Sequence, residues 1–472
     1  MTQLVPSQSQ SKRNVSKRSS GISTVLPIEK EISTPQFRDT PELKLLVTAK
    51  DARREPIHRW FVFPHSFSPY LVEHLIKRYP NPALTTKGHL LDMFSGGGTT
   101  LLVGKHLGIP STGIDIMPFS VTIGQAKIGS HNPKHLKLLG RKLLRNASQS
   151  ALETSVDLDF AKRLYDPKAL DLLLKLSSLI EDLQESGDAK AFLRTALLST
   201  AERAAGAVKA GGFTRDRGAG GSIKRADPPA ARSSEEVKQI FEDRVGAMAD
   251  EVVPWDKDIP ACSVLLGDAR NIPQSTEKYR WVISSPPYPN RQDYTRVFAS
   301  ELLFTFSSKS EDHRKLRLET LRSHLEAKPP IANDPDYNEP ESVTCAVNEI
   351  TTEIYARKHE AQALANGKSA SKVKVDLRIP RMVRGYFEDI HLVLRSLKPQ
   401  VESGGHVCLV VGNVRHYGVM VEVDVIIAEI GVKLGYRCKE ILVARERGNS
   451  AQQMQRYARV GARESIVVLS VD

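Results

Sequence analysis

The stretch HLLDMFSGGGTTLLVGKHLGIPSTGIDI, residues 89–116, places a glycine-rich turn between two short apolar segments. Leu90 and Leu91 predict a buried strand, and glycines 96–98 predict a tight turn that leads into a helix. The following STGIDI predicts a second strand that ends at Asp115. The order of strand, helix and strand indicates a β-α-β unit, the start of a mostly parallel sheet.

The glycine-rich turn has the form of a ligand-binding site. Between a strand and a helix, backbone N–H groups face a ligand, and glycine has no Cβ to block its approach. No Gly-Lys-Ser/Thr step follows the glycines, so a phosphate-binding P-loop is disfavoured. Asp115 ends the next strand, where a carboxylate can accept hydrogen bonds from ribose hydroxyls. A nucleoside cofactor without phosphates fits this pattern, and a purely structural turn is the alternative.

A second unusual stretch is WVISSPPYPNRQDY, residues 281–294. Pro286 and Pro287 cannot donate hydrogen bonds to a sheet, so they end the preceding apolar strand. The residue before a proline is held extended, which restricts Ser285. The pattern predicts a stiff corner at the carboxyl end of a strand, with Tyr288 at its tip, and open α/β sheets bind ligands at this edge. A surface loop without a ligand is the alternative.

Composition limits the class of protein. The chain has 472 residues, 67 Lys and Arg against 55 Asp and Glu, a formal net charge of +12 and a pI of about 9.4. This excess suits a polyanionic partner. The four cysteines show no paired spacing, so we expect neither a disulfide framework nor a bound metal. No apolar run is long enough to span a bilayer, and the N-terminus lacks the apolar core of a signal peptide, so we expect a cytoplasmic protein without a membrane partner.

Several motifs resemble those of the DNA amino-methyltransferases. DMFSGGGTT, residues 92–100, resembles their D-P-F-x-G-x-G-T-T cofactor motif, with methionine in place of the usual proline. SSPPY, residues 284–288, resembles their catalytic motif, [DNS]-P-P-[YFW]. PHSFSPYLVEHLI, residues 64–76, is similar to the segment that closes over the methionine end of S-adenosylmethionine. GDAR, residues 267–270, is similar to the acidic step that meets the adenine. The matches cover about residues 60–130, 262–306 and 385–415.

The resemblance implies S-adenosylmethionine as cofactor. It also implies an α/β fold: a mostly parallel, twisted sheet of the seven-stranded methyltransferase type, flanked by helices, with an antiparallel C-terminal hairpin and helical inserts. The cofactor-binding residues it implies are Phe63, Asp92, Phe94, Gly96, Gly98, Thr99, Thr100, Asp115, Ile116, Asp268 and Ala269. The catalytic residues it implies are Ser285, Pro286, Pro287 and Tyr288.

The corner at residues 284–288 suits methyl transfer to a base amine. The lone pair of an exocyclic amine is delocalised into the ring, so acceptors for both amine hydrogens favour its localisation toward the methyl donor. The Ser285 hydroxyl and the Pro286 carbonyl are candidate acceptors, and the hydroxyl can also donate to a ring nitrogen. Tyr288 offers a face on which a flipped base can stack. The chain has no Pro-Cys pair of the kind expected in cytosine-C5 enzymes.

The serine at the first position of the motif looks most like the cytosine-N4 branch of the family. Adenine N6 is the nearest alternative, followed by an RNA base amine of guanine or adenine. A nucleic-acid-binding protein with a relic cofactor fold is the non-enzymatic alternative. The expected partner is double-stranded DNA in a bacterial or archaeal cytosol, and the resemblance implies restriction-modification with a separate cognate endonuclease.

Charge and periodicity also predict an organisation along the chain. Residues 1–43 are predicted to be a disordered basic arm. The methyltransferase domain is predicted in three parts, 44–130, 259–306 and 381–472, separated by helical inserts at 131–258 and 307–380. Candidate DNA contacts in the basic glycine-rich loop of the first insert are Arg215, Arg217, Lys224 and Arg225, with a plain linker as the alternative. Arg291 and Arg296 follow the catalytic corner and are candidates to contact a phosphate, or to pair with Asp293 or Glu301.

Overall fold

The structure is a computed structural model that describes most of the chain. It covers residues 36–80, 88–152, 154, 156–210, 213–216, 229–255, 260–328, 335–364, 375–447 and 461–472, with the backbone alone at 208, 210, 213–216 and 361–364. All of these residues fall within one compact unit. No helix among them is long and apolar enough to cross a membrane.

The described strands form the predicted sheet and two smaller strand pairs. The described strands are β1 Phe37–Asp39, β2 His89–Asp92, β3 Ser111–Asp115, β4 Ala207–Ala210, β5 Phe213–Asp216, β6 Cys262–Leu266, β7 Tyr279–Ser284, β8 Val401–Gly412, β9 Val414–His416, β10 Val419–Val421, β11 Arg437–Arg447 and β12 Ala462–Ser470. Eight of them form one sheet in the order β1-β11-β12-β8-β7-β2-β3-β6. Every pairing in this sheet is parallel except the two made by β12.

Helices cover both faces of the sheet and form the inserts. The described helices are α1 Pro69–Arg78, α2 Thr99–His106, α3 Pro118–Ile128, α4 Pro133–Gln149, α5 Asp159–Leu164, α6 Pro167–Glu181, α7 Gly187–Ala204, α8 Ser234–Asp250, α9 Tyr294–Val297, α10 Ala299–Thr305, α11 Ser310–Glu319, α12 Glu341–Leu364, α13 Arg378–Leu397 and α14 Val423–Lys433. Sequence signals mark three of their starts. Ser68 caps α1, Asp166 caps α6, and Ser233 with Glu236 forms a capping box at α8.

The predicted fold class is confirmed. From β2 the chain runs outward through β3 to β6, and then returns to the other side of β2 with β7 and β8. The order of strands therefore reverses between β2 and β7, and the carboxyl ends of these two strands form the crevice where open α/β sheets bind ligands. β11 and β12 form the expected antiparallel hairpin.

The sheet gains an eighth strand from the region predicted as an arm. Phe37–Asp39 pairs in parallel with β11, and the Thr40 N–H donates to the Val443 carbonyl at 2.9 Å. The ordered sheet therefore begins before the predicted end of the arm at residue 43. Three exposed residues are too few to show strand periodicity in a sequence.

The first insert shares one apolar core with the cofactor half of the sheet. Phe192 of α7 and Phe119 of α3 are fully buried in it, together with Phe298, which follows α9. α7 ends at Ala204, and the chain continues into the strand pair β4 and β5. This core fixes the wall of the crevice that carries Phe63, whose ring stacks on Phe298 with centroids 4.5 Å apart.

Candidate active site

A cavity of about 290 Å³ lies at the carboxyl ends of β2 and β7. The predicted site residues that line it are Phe63, Asp92, Phe94, Gly96, Thr99, Asp115, Ile116, Asp268, Ala269, Ser285, Pro286, Pro287 and Tyr288. Two predicted residues do not line it. Thr100 is buried beneath, where its hydroxyl donates to the Ile283 carbonyl at 3.4 Å. Gly98 begins α2 with φ of +71°, and a Cβ there would lie 3.0 Å from Gly124 Cα.

Asp115 supports the glycine turn from the end of β3. Its Oδ2 accepts from the Gly96 N–H at 2.7 Å, and its Oδ1 accepts from the Met117 N–H at 2.9 Å. Burial raises the pKa of Asp115 to about 6, and these backbone donors oppose the rise. Each carboxylate oxygen has a second lone pair, so the side chain retains acceptor capacity toward the cavity.

Asp92 connects the cofactor strand to the catalytic strand. Its Oδ1 accepts from the Ser284 hydroxyl at 2.5 Å and from the Phe94 N–H at 3.1 Å. Burial raises the pKa of Asp92 to about 6, and the hydrogen bonds from Ser284 and Thr100 oppose the rise. Because Ser284 lies two residues before Pro286, this contact ties the start of the Pro-Pro corner to the end of β2.

Lys127 at the end of α3 holds the glycine turn from behind. Its Nζ is buried and donates to the carbonyls of Gly97 at 2.7 Å, Phe61 at 2.9 Å and His58 at 3.0 Å. Burial lowers the pKa of Lys127 to about 7. Three acceptors match the three donors of an ammonium group, so the geometry is that of the charged form. The lysine thereby joins the turn to the segment that leads to Phe63.

Ser285 is anchored to the neighbouring strand. Its hydroxyl donates to the Val410 carbonyl of β8 at 2.9 Å. A hydroxyl has one proton, so this bond leaves only lone pairs for a group in the cavity. The side chain is placed as an acceptor.

Tyr288 forms the outer wall of the cavity and contacts the C-terminal hairpin. Its hydroxyl lies 3.5 Å from Glu464 Oε1, and the guanidinium carbon of Arg447 lies 5.5 Å from the centroid of its ring. Gly412 at the end of β8 makes room for both side chains. A Cβ at this position would lie 2.1 Å from Arg447 Nη2 and 2.8 Å from Tyr288 Cε2.

Three curated proteins are similar to this chain in sequence. The chain is 28% identical over 456 residues to Type II methyltransferase M.BsoBI of Geobacillus stearothermophilus, covering 90% of this chain and 87% of that protein. It is 26% identical over 463 residues to Type II methyltransferase M.AvaI of Anabaena variabilis, covering 92% and 91%. A third relative, Type II methyltransferase M.MjaII of Methanocaldococcus jannaschii, is 28% identical over 123 residues, 26% of this chain and 22% of that protein. No protein-family profile matches the chain.

The chain is a homologue of the Type II methyltransferases. The two longer matches run through the cofactor half, the inserts and the catalytic half alike, since each covers nine tenths of the chain. The resemblance to the DNA amino-methyltransferases is confirmed.

In this methyltransferase homologue, Asp268 of the GDAR segment is part of an ion-pair network. Asp268 accepts from the Arg270 side chain at 2.7 and 3.0 Å, and Arg270 continues to the buried Asp389 of α13 at 3.3 Å. Asp389 also pairs with Arg322 at 2.7 Å, in the loop after α11. The network joins the wall that carries Asp268 to the loop after α11, which also lines the cavity. Within the described ranges, no group of three metal-ligating side chains is found.

The structure describes some of the candidate DNA-contact residues and not others. Arg215 is in β5, where only the backbone is described, and Arg217, Lys224 and Arg225 lie outside the described residues. Arg291 is exposed and has a φ of +70°. Its backbone N–H donates to the Ser323 carbonyl at 3.0 Å. Arg296 pairs with Asp293 at 3.3 Å and with Glu326, not with Glu301. Glu301 instead pairs with Lys209.

Some residues of the site were missed by reasoning from the sequence. The sequence does not indicate that Lys127 is buried behind the glycine turn, because a lysine in a helix is ordinarily a surface residue. Arg447 and Glu464 fall in the Arg- and Gln-rich C-terminal segment, for which the sequence leaves base reading and a solvated hairpin open, and their approach to Tyr288 depends on the pairing of β11 with β12. His65 and Tyr294 also line the cavity, with their rings at 5.5 Å in an edge-to-face contact.

Proposed function

We propose that this chain is a DNA methyltransferase that transfers a methyl group from S-adenosylmethionine to the N4 amine of a flipped cytosine. The observation that carries the proposal is Ser285, whose hydroxyl donates to Val410 and so presents lone pairs to the cavity beside the glycine turn. This is the polarity that an amine donor requires. The relatives that cover nine tenths of the chain are named Type II methyltransferases, which supports the same reaction class.

The residues around the glycine turn fit S-adenosylmethionine. Asp115 keeps acceptor lone pairs for ribose hydroxyls, and Gly96 has a φ of +47°, a left-handed backbone conformation that favours glycine in the turn. Asp268 and Ala269 would border the adenine, and Thr99 would lie near the methionine end. When bound, the cofactor supplies an electrophilic methyl group on a sulfonium.

The protein positions the amine for attack on that methyl group. The Ser285 Oγ and the Pro286 carbonyl would each accept one amine hydrogen, which favours localisation of the nitrogen lone pair. Tyr288 would hold the flipped base by stacking, which contributes about 1–3 kcal/mol per base. Direct attack needs no covalent enzyme intermediate. The proton released from the amine is transferred to solvent after the methyl group has moved.

The proposed biological setting is restriction-modification. Relatives with the Type II description support site-specific modification of double-stranded DNA, with a separate cognate endonuclease as the implied partner. The exposed Arg291, beside the catalytic corner and in a strained backbone conformation, is proposed to contact the phosphate of the flipped nucleotide. A cytoplasmic location follows from this role.

The experiment that tests the reaction class measures transfer of a labelled methyl group to double-stranded DNA from a methylation-free strain, and to RNA as the competing substrate. We expect label in DNA only. Ser285→Ala should lower kcat by about 100-fold while S-adenosylmethionine binds normally, because the lost acceptor acts in the transition state. Label in RNA alone would favour an RNA base methyltransferase. Absence of label with either substrate would favour a binding protein with a relic cofactor fold.

A further inference from the structure

Cytosine presents more than an amine to a recognition site. Next to N4 stand the ring nitrogen N3 and the carbonyl O2, two adjacent acceptors that need donors once the base leaves the duplex. Adenine presents N1 beside N6, and then a C–H group. While the Ser285 hydroxyl donates to Val410, its single proton does not serve these acceptors, and another side chain is needed to supply donors to both.

Arg447 stands where such a donor is needed. It is the last residue of β11, it lines the cavity, and its guanidinium carbon lies 5.5 Å from the centroid of the Tyr288 ring. The guanidinium lies over the Tyr288 ring, so a base that stacks on this ring beside it, at about 3.5 Å, would present its edge to the guanidinium. Both side chains pack against Gly412, so one stretch of backbone sets their positions together.

Within the part of the chain that the structure describes, the guanidinium of Arg447 has no close acceptor. Its nearest acidic neighbour, Glu464, lies 3.9 Å away, beyond hydrogen-bond distance, and pairs more closely with Arg445. Among the described residues no hydrogen bond of the Arg447 side chain is found, and the side chain is 38% exposed. Glu464 is buried, and it keeps the local charge balanced while Arg447 faces the cavity.

The charge of Arg447 reaches the interior of the cavity. Burial is the larger cause of the lowered pKa of His65, and the positive charge of Arg447 adds to it. The same charge opposes the rise that burial causes in the pKa of Tyr294. Both side chains line the cavity, which places the guanidinium within electrostatic range of a bound base.

We infer that Arg447 reads the N3 and O2 edge of the flipped base and thereby selects cytosine over adenine. The two parallel N–H groups of a guanidinium match two adjacent acceptors, whereas adenine would satisfy only one of them and place a C–H group against the other. Arg447 is then a specificity residue of the base pocket, with Ser285 and Pro286 holding the amine. This inference rests on the proposed function.

The test compares Arg447→Ala, Arg447→Lys and Arg447→Gln with Arg437→Ala as matched control, because Arg437 is an exposed arginine at the opposite end of the same strand. The substrate is DNA from a methylation-free strain, and the products are identified as nucleosides. Loss of a bidentate contact should lower kcat/KM for cytosine methylation about 10- to 100-fold in all three Arg447 variants. The dissociation constant for S-adenosylmethionine and the Arg437→Ala rate should change less than about 2-fold.

The outcomes separate the inference from the function on which it rests. If Arg447→Lys restores the wild-type rate, or if Arg437→Ala loses as much as Arg447→Ala, the arginine contributes only charge and the inference is overturned. If the Arg447 variants lose cofactor affinity in proportion to rate, the residue has a structural role and the inference is again overturned. If wild-type enzyme produces N6-methyladenine, the cytosine assignment itself fails, whatever the variants do. Circular dichroism on each variant confirms that it is folded, and Arg447→Gln replaces Arg447→Ala if the shorter side chain destabilises the hairpin.

Discussion

The two sides of the cavity are built differently. On the cofactor side, the polar groups of Asp92, Asp115 and Lys127 are hydrogen-bonded to the glycine turn or to the strands beside it. On the base side, Tyr288 is half-buried, and Arg447 makes no hydrogen bond within the described residues. The first side is a closed network in a low dielectric, which is rigid. The second leaves donors and surface open for a ligand.

This difference has a functional reason. A small cofactor of constant shape can bind to a preorganised site. A base must first leave the duplex, and it then supplies the hydrogen-bonding groups that the pocket lacks. Substitutions on the cofactor side should therefore change S-adenosylmethionine affinity. Substitutions on the base side should change turnover or DNA affinity and leave cofactor affinity intact.

Of the substitutions that test this difference between the two sides of the cavity, we expect the largest loss of activity at Tyr288. Tyr288→Ala should lower kcat/KM for DNA about 10- to 100-fold through the lost stacking face. Tyr288→Phe should keep most of the activity, because the hydroxyl lies 3.5 Å from Glu464 and forms at best a weak hydrogen bond. Steady-state kinetics with DNA and calorimetry with S-adenosylmethionine measure the two sides separately. Equal losses in both variants would show that the ring face is not what holds the base.

A smaller effect is expected on the cofactor side at Lys127. Lys127→Met keeps the volume of the side chain and removes the three donors, which should weaken S-adenosylmethionine binding about 10-fold by releasing the Gly97 turn. Lys105→Met is the matched control, because Lys105 is another buried lysine near this wall and donates to the Ile128 carbonyl, not to the turn.

Thermal unfolding and calorimetry on both lysine variants distinguish positioning from stability. We expect both to lose stability and only Lys127→Met to lose cofactor affinity. A Lys127→Met protein that is less stable but binds S-adenosylmethionine as the wild type does would assign Lys127 a purely structural role.

The smallest effect is expected at the exposed arginines after the corner. Arg291→Ala should reduce the log–log slope of DNA affinity against salt by about 0.9, the change for one lost phosphate contact. Arg296→Ala should leave the slope unchanged, because Arg296 already pairs with Asp293 and Glu326. Filter binding at several salt concentrations measures both slopes. Identical slopes for Arg291→Ala and the wild type would remove Arg291 from the DNA interface.

The sequence predicts the cofactor side better than the base side. Asp92, Asp115 and the glycine turn lie at strand ends in one continuous stretch, so local periodicity places them together. The hairpin residue Arg447 is separated from Tyr288 by more than a hundred residues of chain, and only the order of β7, β8, β12 and β11 brings it close. Long-range pairing of this kind leaves no local pattern.

The sequence also does not predict the individual hydrogen bonds of the site. Two adjacent serines precede the prolines, and nothing local indicates that Ser284 binds Asp92 while Ser285 binds Val410. The alternation of side chains along an extended strand directs them to opposite faces, but their partners come from different strands. The sequence offers Ser285 as a candidate acceptor, but it does not predict the hydrogen bond from Ser285 to Val410, which is distant in the chain.

The identity of the methylated nucleoside tests the central claim most directly. DNA from a methylation-free strain is incubated with the purified protein and S-adenosylmethionine, digested to nucleosides, and analysed by mass spectrometry against standards of both methylated nucleosides. We expect N4-methylcytosine, and none when Ser285→Ala is incubated for the same few turnovers of the wild-type enzyme. N6-methyladenine as the product, or equal yields from Ser285→Ala and the wild type, would contradict the account.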